Sequence, residues 1–214
     1  MLVISHFDID HICDVAQLAS MVPVGHIFDH GEVQATEAGA SRAKQRFAPY
    51  AAIREMIGHT TVRPGDRIPM KGIDVQVLTA GGKRILKPVA HGGAANPLCR
   101  DYKQAEALSS DIEDDQSIGL LITSGKFRML DLADLEAHNS HDLVCPNNLI
   151  GTVDVYNVNV HGQFKGIAQE LTGALRAPVM IQANGARRKA RIPRAGRSSG
   201  PRPAYWISGS FIIP

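Results

Sequence analysis

Leu2-Val3-Ile4-Ser5-His6-Phe7-Asp8-Ile9-Asp10-His11-Ile12 is the stretch from which the fold of this chain is read. Its apolar start, Leu2 to Ile4, predicts a buried strand that stops at Ser5. Four potential metal ligands then follow within six positions: His6, Asp8, Asp10 and His11. A strand end that opens into a tight loop is where an α/β protein usually places its chemistry. Imidazole and carboxylate groups at alternate positions can point into one small volume, and the adjacent Asp10-His11 pair can divide between two neighbouring ions. Such nitrogen and oxygen ligand sets suit zinc, manganese or iron. The plainer alternative is a polar turn whose histidines only cap or hydrogen-bond.

Length and composition set the frame. The 214 residues suffice for one sizeable core or at most two small domains, and 44% hydrophobic with 21% charged residues is ordinary for a globular protein. The longest apolar runs fall far short of a membrane span, so no membrane segment is expected. The three-residue apolar start leads straight into charge and does not resemble a secretory signal. A cytoplasmic location is therefore expected, with a periplasmic one left open if the true front of the protein is missing. The net charge of +2 is unevenly placed: eight Arg or Lys residues lie from Arg176 onward, and no acidic residue follows Glu170. Such a basic end can contact phosphate or acidic surfaces, or can simply be solvated. Cys13, Cys99 and Cys145 show no Cys-x-x-Cys spacing, which argues against a structural zinc site. A Cys99–Cys145 disulfide is compatible with an exported protein, though the spacing does not require it.

Further along, Asp14 to Met21 reads as a short amphipathic helix ending before Pro23. Val24 to Phe28 suits a strand running into Asp29-His30-Gly31, where His30 is a candidate ligand or an orienter of one. Glu37 to Met56 predicts a helix that Pro49 could break. Arg67 to Met70 and Ile73 to Leu78 predict strands around Lys71-Gly72. Ala80 to Cys99, rich in glycine and proline, reads as loop. The acidic run Asp111-Ile112-Glu113-Asp114-Asp115 reads as a solvated face. Ile118 to Thr123, a Ser124-Gly125 turn and Phe127 to Leu132 predict a hairpin ending in Ala133-Asp134. A carboxylate beyond such an apolar strand is badly placed unless it is paired or bound to a cation. Val153 to Val160 predicts a strand ending in His161-Gly162, Ala168 to Leu175 a helix, and Pro178 to Gln182 a last strand before Asn184-Gly185.

Taken together, these motifs resemble those of the metallo-β-lactamase superfamily. Residues 6–11 match its His-x-His-x-Asp-His motif at three of four positions, with Asp8 where the second histidine is usual. The superfamily's Gly-Asp after a hairpin supplies a carboxylate that bridges two metals, and Ala133-Asp134 is similar to it. Asn159-Val160-His161-Gly162 resembles the strand followed by Ser-His-His-Gly in the competence-protein (ComEC-like) branch, with only the second histidine present. The Asn184-Gly185 turn also resembles that branch.

The resemblance implies an α/β fold, the metallo-β-lactamase-type αβ/βα sandwich, lacking part of its first sheet because strands that normally precede the motif are absent. It implies an incomplete domain over residues 1–187, with 188–214 left as a basic, disordered tail or an aberrant coding end. It also implies two divalent ions, zinc or manganese/iron, on His6, Asp8, Asp10, His11, His30, Asp134 and His161, with Asp10 and Asp134 catalytic. The expected function is a metal-dependent hydrolase whose activated water attacks a phosphodiester or acyl-type bond in a small-molecule or nucleic-acid substrate. The rival expectation is a non-catalytic, degenerate domain of the same fold, to which Asp8 and Val160 point. A nucleic-acid-binding module resting on the basic end alone lacks interleaved aromatic residues, which are 5% of the chain.

Overall fold

The first strand, β1 (Leu2–Val3), pairs in parallel with β2 (Ile27–Asp29), and β2 pairs in parallel with β3 (His59–Thr61). These coordinates are a computed structural model, and the residues it describes are 1–37, 39–101, 112–163, 166, 168–183 and 205–208. Between β1 and β2 run two short helices, α1 (Ile9–Ile12) and α2 (Val15–Met21). The long helix α3 (Ala40–Ile57) connects β2 to β3 and continues through Pro49 without a break, burying Phe47, Tyr50 and Arg54. Those side chains close on Ile4, Phe7, Ile12, Val15 and Ile27, forming a core between the three-stranded sheet and its helices.

A larger sheet carries eight strands. β4 (Arg67–Ile68), β5 (Asp74–Ala80) and β6 (Lys83–Arg84) form one antiparallel edge. β5 then pairs with β8 (Gly119–Ser124), which turns at Ser124-Gly125-style spacing into β9 (Phe127–Asp131) as an antiparallel hairpin. β11 (Val155–Asn157) and β12 (Val179–Gln182) add in parallel to β9. Outside the large sheet, β7 (Ala94–Ala95) and β10 (Asn147–Asn148) make a small antiparallel ribbon. The stretch expected to be all loop thus holds β6, β7 and the start of a 3-10 turn, Pro97–Asp101.

Phe28, Val62, Ile68, Val75, Val77 and Ile118 fill the space between the two sheets. The far face of the large sheet, through Leu130, Leu132, Tyr156 and Met180, packs on α4 (Ala137–His141) and α5 (Gln169–Leu175) with Leu171 and Leu175. The layers therefore run helices, sheet, sheet, helices. Arg128 is held in this half by the carbonyls of Ala90, Ile150 and Thr152. A Cys99–Cys145 disulfide, Cα–Cα 5.7 Å, ties the Pro97–Asp101 turn to the segment before β10. Among the described residues no helix is long and apolar enough to cross a membrane. In the stretch expected to be a tail, Tyr205–Ser208 form β13, an edge strand parallel to β12; residues 188–204 and 209–214 lie outside the described residues.

Two contacts fix the ligand loop to both sheets. The Ile118 N–H donates to the Ser5 carbonyl (2.9 Å), joining the end of β1 to the start of β8. The Glu113 carboxylate accepts the N–H groups of Phe7 (3.0 Å) and Gln34 (2.7 Å) and pairs with His30 Nε2 (2.6 Å). Glu113 and Asp114, read from the sequence as part of a solvated face, are in fact buried, because the turn before β8 folds under the ligand loop. Removing a buried partner leaves each bonded group unsatisfied at about 1–3 kcal/mol. Glu113→Ala is expected to cost about 3 kcal/mol or more in urea unfolding; a loss below about 1 kcal/mol would mean that water replaces the carboxylate.

Candidate metal centre

All the strand ends that carry the expected ligands lie along one edge. β9 and β11 are parallel, so their carboxyl ends coincide, and β8 is antiparallel to β9, so its start lies at the same edge. The end of β1 is joined there through Ser5 and Ile118. Within the first loop, Phe7 is buried against Phe47 (ring centroids 4.6 Å) and Tyr50 (5.3 Å). The residues on either side of it, His6 and Asp8, join Asp114 in one group of ligand atoms within 4.8 Å of one another. Asp8 occupies the N-cap position of α1 but makes no side-chain capping bond. That leaves its carboxylate in the group.

His6, His11 and Asp134 form a second such group, and Asp10, His11 and His161 a third. The imidazoles of His6 and His11 lie 4.0 Å apart between centroids, and those of His11 and His161 5.5 Å. Asp134 reaches both sides: Oδ1 is 3.8 Å from His11 Nε2, and Oδ2 is 3.3 Å from His161 Nε2. Asp10 Oδ2 stands 3.4 Å from His161 Nε2 and 3.9 Å from His11 Nε2. Six of the expected ligands, His6, Asp8, Asp10, His11, Asp134 and His161, are thus brought together.

His30 falls in none of these groups. Its Nε2 pairs with Glu113, and its ring stacks near Phe7 (centroids 4.1 Å). The neighbouring Asp29 is fully buried and accepts bonds from Tyr50 Oη (2.7 Å) and Arg54 (3.2 Å), which fastens α3 to β2. The strand-end pair at 29–30 is structural in its contacts. Asp114, in contrast, joins the centre from the acidic run, 3.8 Å from His6 Nε2. The signal that could have found it is its place three to four residues before the apolar strand β8, a strand end like the others.

The histidine nitrogens are presented in a common way. Ser5 Oγ lies 3.2 Å from His6 Nδ1 and 3.3 Å from His11 Nδ1, and His161 Nδ1 donates to the Ala183 carbonyl (3.0 Å). Each ring is thereby held by Nδ1, and each Nε2 faces the carboxylates. All three Nε2 atoms are shielded from solvent and make no hydrogen bond, since the contacts to the carboxylates are too long or misaligned. Buried polar atoms without partners are rare and costly, and three converging on carboxylates fit a divalent cation.

The electrostatics agree. Burial, reinforced by the nearby His11, pushes the His6 imidazole down to about 3, so it stays neutral, the form a ligand needs. The Asp10 and Asp134 carboxylates raise His161 to about 10. Asp10 is held well below the usual carboxylate range, first by its contact with His161 and then by His11 against the opposing effect of burial. Burial raises Asp134, but its contact with His161 and the charges of His161, His11 and His6 outweigh that and lower it. Without a metal, a proton on His161 thus does part of the work of a cation.

Backbone strain collects at the same edge. Ala133, before Asp134, is left-handed (φ 49°), and so are Val160 (φ 51°) and His161 (φ 54°). A β-branched residue at positive φ is an outlier, and such strain gathers at functional sites. It explains why β11 is shorter than the sequence suggests: the chain turns at Val158 rather than continuing to Val160. Gly162 (φ 73°) must remain glycine, because a Cβ there would lie 2.1 Å from Gln182 Nε2, which donates to the His161 carbonyl.

No family model matches the chain, and no curated protein matches it. Solved structures do. A protein from Parabacteroides distasonis, whose description gives metal-dependent hydrolase as an inferred activity, aligns with a TM-score of 0.50 at 12% identity, covering 98% of this chain and 76% of that one. The metallo-beta-lactamase fold protein YhfI from Bacillus subtilis aligns at 0.42 and 12% identity, over 84% of this chain and 61% of its own. Zinc-bound PqqB from Methylobacterium extorquens aligns at 0.38 and 13% identity, over 86% and 54%. Likeness at such identities is one of fold alone. The layer order and these neighbours give the expected class: an α/β sandwich of the metallo-β-lactamase type.

Ser5→Ala should release two imidazoles from their common oxygen. Loss of an outer hydrogen bond to a ligand typically weakens metal affinity about 10–100-fold. Zinc titration by calorimetry is expected to show that loss with an unchanged thermal midpoint in chelator; unchanged affinity would mean that Ser5 does not orient the rings.

Proposed function

We propose that this chain is a metal-dependent hydrolase, acting on a phosphodiester or acyl-type bond, of the ComEC-like branch that its motifs resemble. The observation that carries this reading is the convergence of three shielded, unbonded Nε2 atoms, of His6, His11 and His161, on the carboxylates of Asp10, Asp114 and Asp134. His6, Asp8 and Asp114 would hold one divalent ion and Asp10, His11 and His161 another, with Asp134 between them. Such a pair, when bound, lowers the pKa of a water and polarises a phosphoryl or carbonyl oxygen.

The chain's own groups supply the rest. Ser5 Oγ and the Ala183 carbonyl orient the rings. The side chain of Asp10 is 63% exposed whereas that of Asp134 is 11% exposed, so the substrate reaches the centre from the Asp10 side. Asp10, kept ionised, can accept a proton from the attacking water at Oδ2. Four carboxylates, of Asp8, Asp10, Asp114 and Asp134, against three imidazoles make the ligand set richer in oxygen than an all-histidine site. Oxygen ligands favour manganese or iron(II) more than imidazole does, although zinc still binds well at equal geometry. A phosphodiester or nucleic-acid substrate rests on the branch resemblance and on the basic residues beyond Arg176.

A degenerate, metal-free domain is the second reading, favoured by Val160, which is buried and offers no ligand where the branch has a histidine. Zinc and manganese titrations of the native chain, Asp8→His and Asp134→Ala separate the two. Asp134→Ala is expected to weaken binding at least tenfold and to abolish manganese-stimulated hydrolysis of bis(p-nitrophenyl) phosphate. Asp8→His is expected to raise zinc affinity relative to manganese. Equal, negligible binding in all three would sink the hydrolase reading.

A further inference from the structure

Three of the four groups of ligand-type side chains among the described residues share members of the centre above; the fourth, Asp115, Glu136 and His138, does not. We propose that these three residues form a further divalent-cation site, of the zinc or manganese class, next to the main centre and distinct from it. It does not rest on the hydrolase reading.

The residues come from the two segments that carry main-centre carboxylates. Asp115 follows Asp114 in the 3-10 turn Asp114–Gln116, and Glu136 is the N-cap residue of α4, two positions after Asp134. His138 stands in the first turn of α4, between the two carboxylates. Its Nε2 is 3.4 Å from Asp115 Oδ2, and its Nδ1 is 3.5 Å from Glu136 Oε2. Asn139 Nδ2 lies 3.1 Å from the same Nε2 as a donor, so that nitrogen presents its lone pair.

Three features point to a cation. Glu136 is 3% exposed, and a buried carboxylate needs a positive partner. Asp115 Oδ1 is shielded from solvent and accepts no hydrogen bond. The spacing also fits: ligands about 2.0–2.2 Å from a tetrahedral zinc lie about 3.3–3.6 Å from one another, and the Asp115–His138 separation falls in that range. Asp115 and His138 are partly exposed, with side chains 28% and 25% accessible, which gives an ion a path in and room for water ligands. A bound ion would tie the turn before β8 to the start of α4 and so hold Asp114 and Asp134 in place.

The test is metal binding by the full chain, read by zinc calorimetry and manganese EPR. In the double variant His11→Ala/His161→Ala, one equivalent should remain. Adding Asp115→Asn or His138→Ala should weaken that equivalent at least tenfold. With 15N-histidine labelling, pulsed EPR of the double variant should show one imidazole nitrogen on manganese that His138→Ala removes. If the double variant does not fold, Asp115→Asn in the native background should lose one bound equivalent. Identical stoichiometry with and without Asp115→Asn and His138→Ala overturns the site and makes the cluster an imidazole between two carboxylates. Loss of ions only through His11 and His161 overturns this site and leaves the hydrolase reading intact. Loss only through Asp115 and His138 has the reverse effect.

Discussion

Three imidazole nitrogens without hydrogen bonds, packed against carboxylates out of reach of water, are the constraint around which this structure is arranged. Desolvation alone disfavours both the ionised carboxylates and a protonated His6. Three things meet that cost here: fixed Nδ1 partners, the charge on His161, and a geometry that accepts cations. The rest of the fold keeps those nitrogens in place. Phe7 is clamped between Phe47 and Tyr50, Glu113 holds the loop from below, and the Ser5–Ile118 bond joins the two sheets at the site.

The layer order turns local motifs into one centre. Each ligand lies at the end of an apolar strand, and strand direction decides which ends coincide. Because β9 and β11 run together and β8 runs against them, residues 114, 134 and 161 meet although they are far apart in sequence. The left-handed residues at Ala133, Val160 and His161 then bend the chain back across the edge. The superfamily's glycine before the bridging aspartate has a physical reason visible here, since Ala133 must adopt a conformation that glycine takes without strain.

Much of this was legible from residues 2–12, because alternating ligands after an apolar run have one economical geometry. Asp134 and His161 were legible for the same reason, as polar groups at the ends of buried strands. The misses are equally instructive. His30 carries the same strand-end signature, but its partner Glu113 lies 83 positions away and no local pattern announces it. Glu113 and Asp114 looked like a solvated run because acidic clusters usually are; only the tertiary position of the turn under the ligand loop buries them. Pro49 did not break α3, since packing of Phe47, Tyr50 and Arg54 outweighs the lost backbone bond. Tyr205–Ser208 lack a periodic signal yet extend the sheet by backbone pairing, which any sequence can supply.

The central claim is that His6, His11 and His161 bind metal through Nε2. Anomalous diffraction from crystals soaked in zinc or manganese measures this directly. The account predicts peaks about 2.0–2.2 Å from those nitrogens, with Asp134 between two of them. Well-ordered imidazoles in such crystals with no anomalous peak at any of the three nitrogens would contradict it.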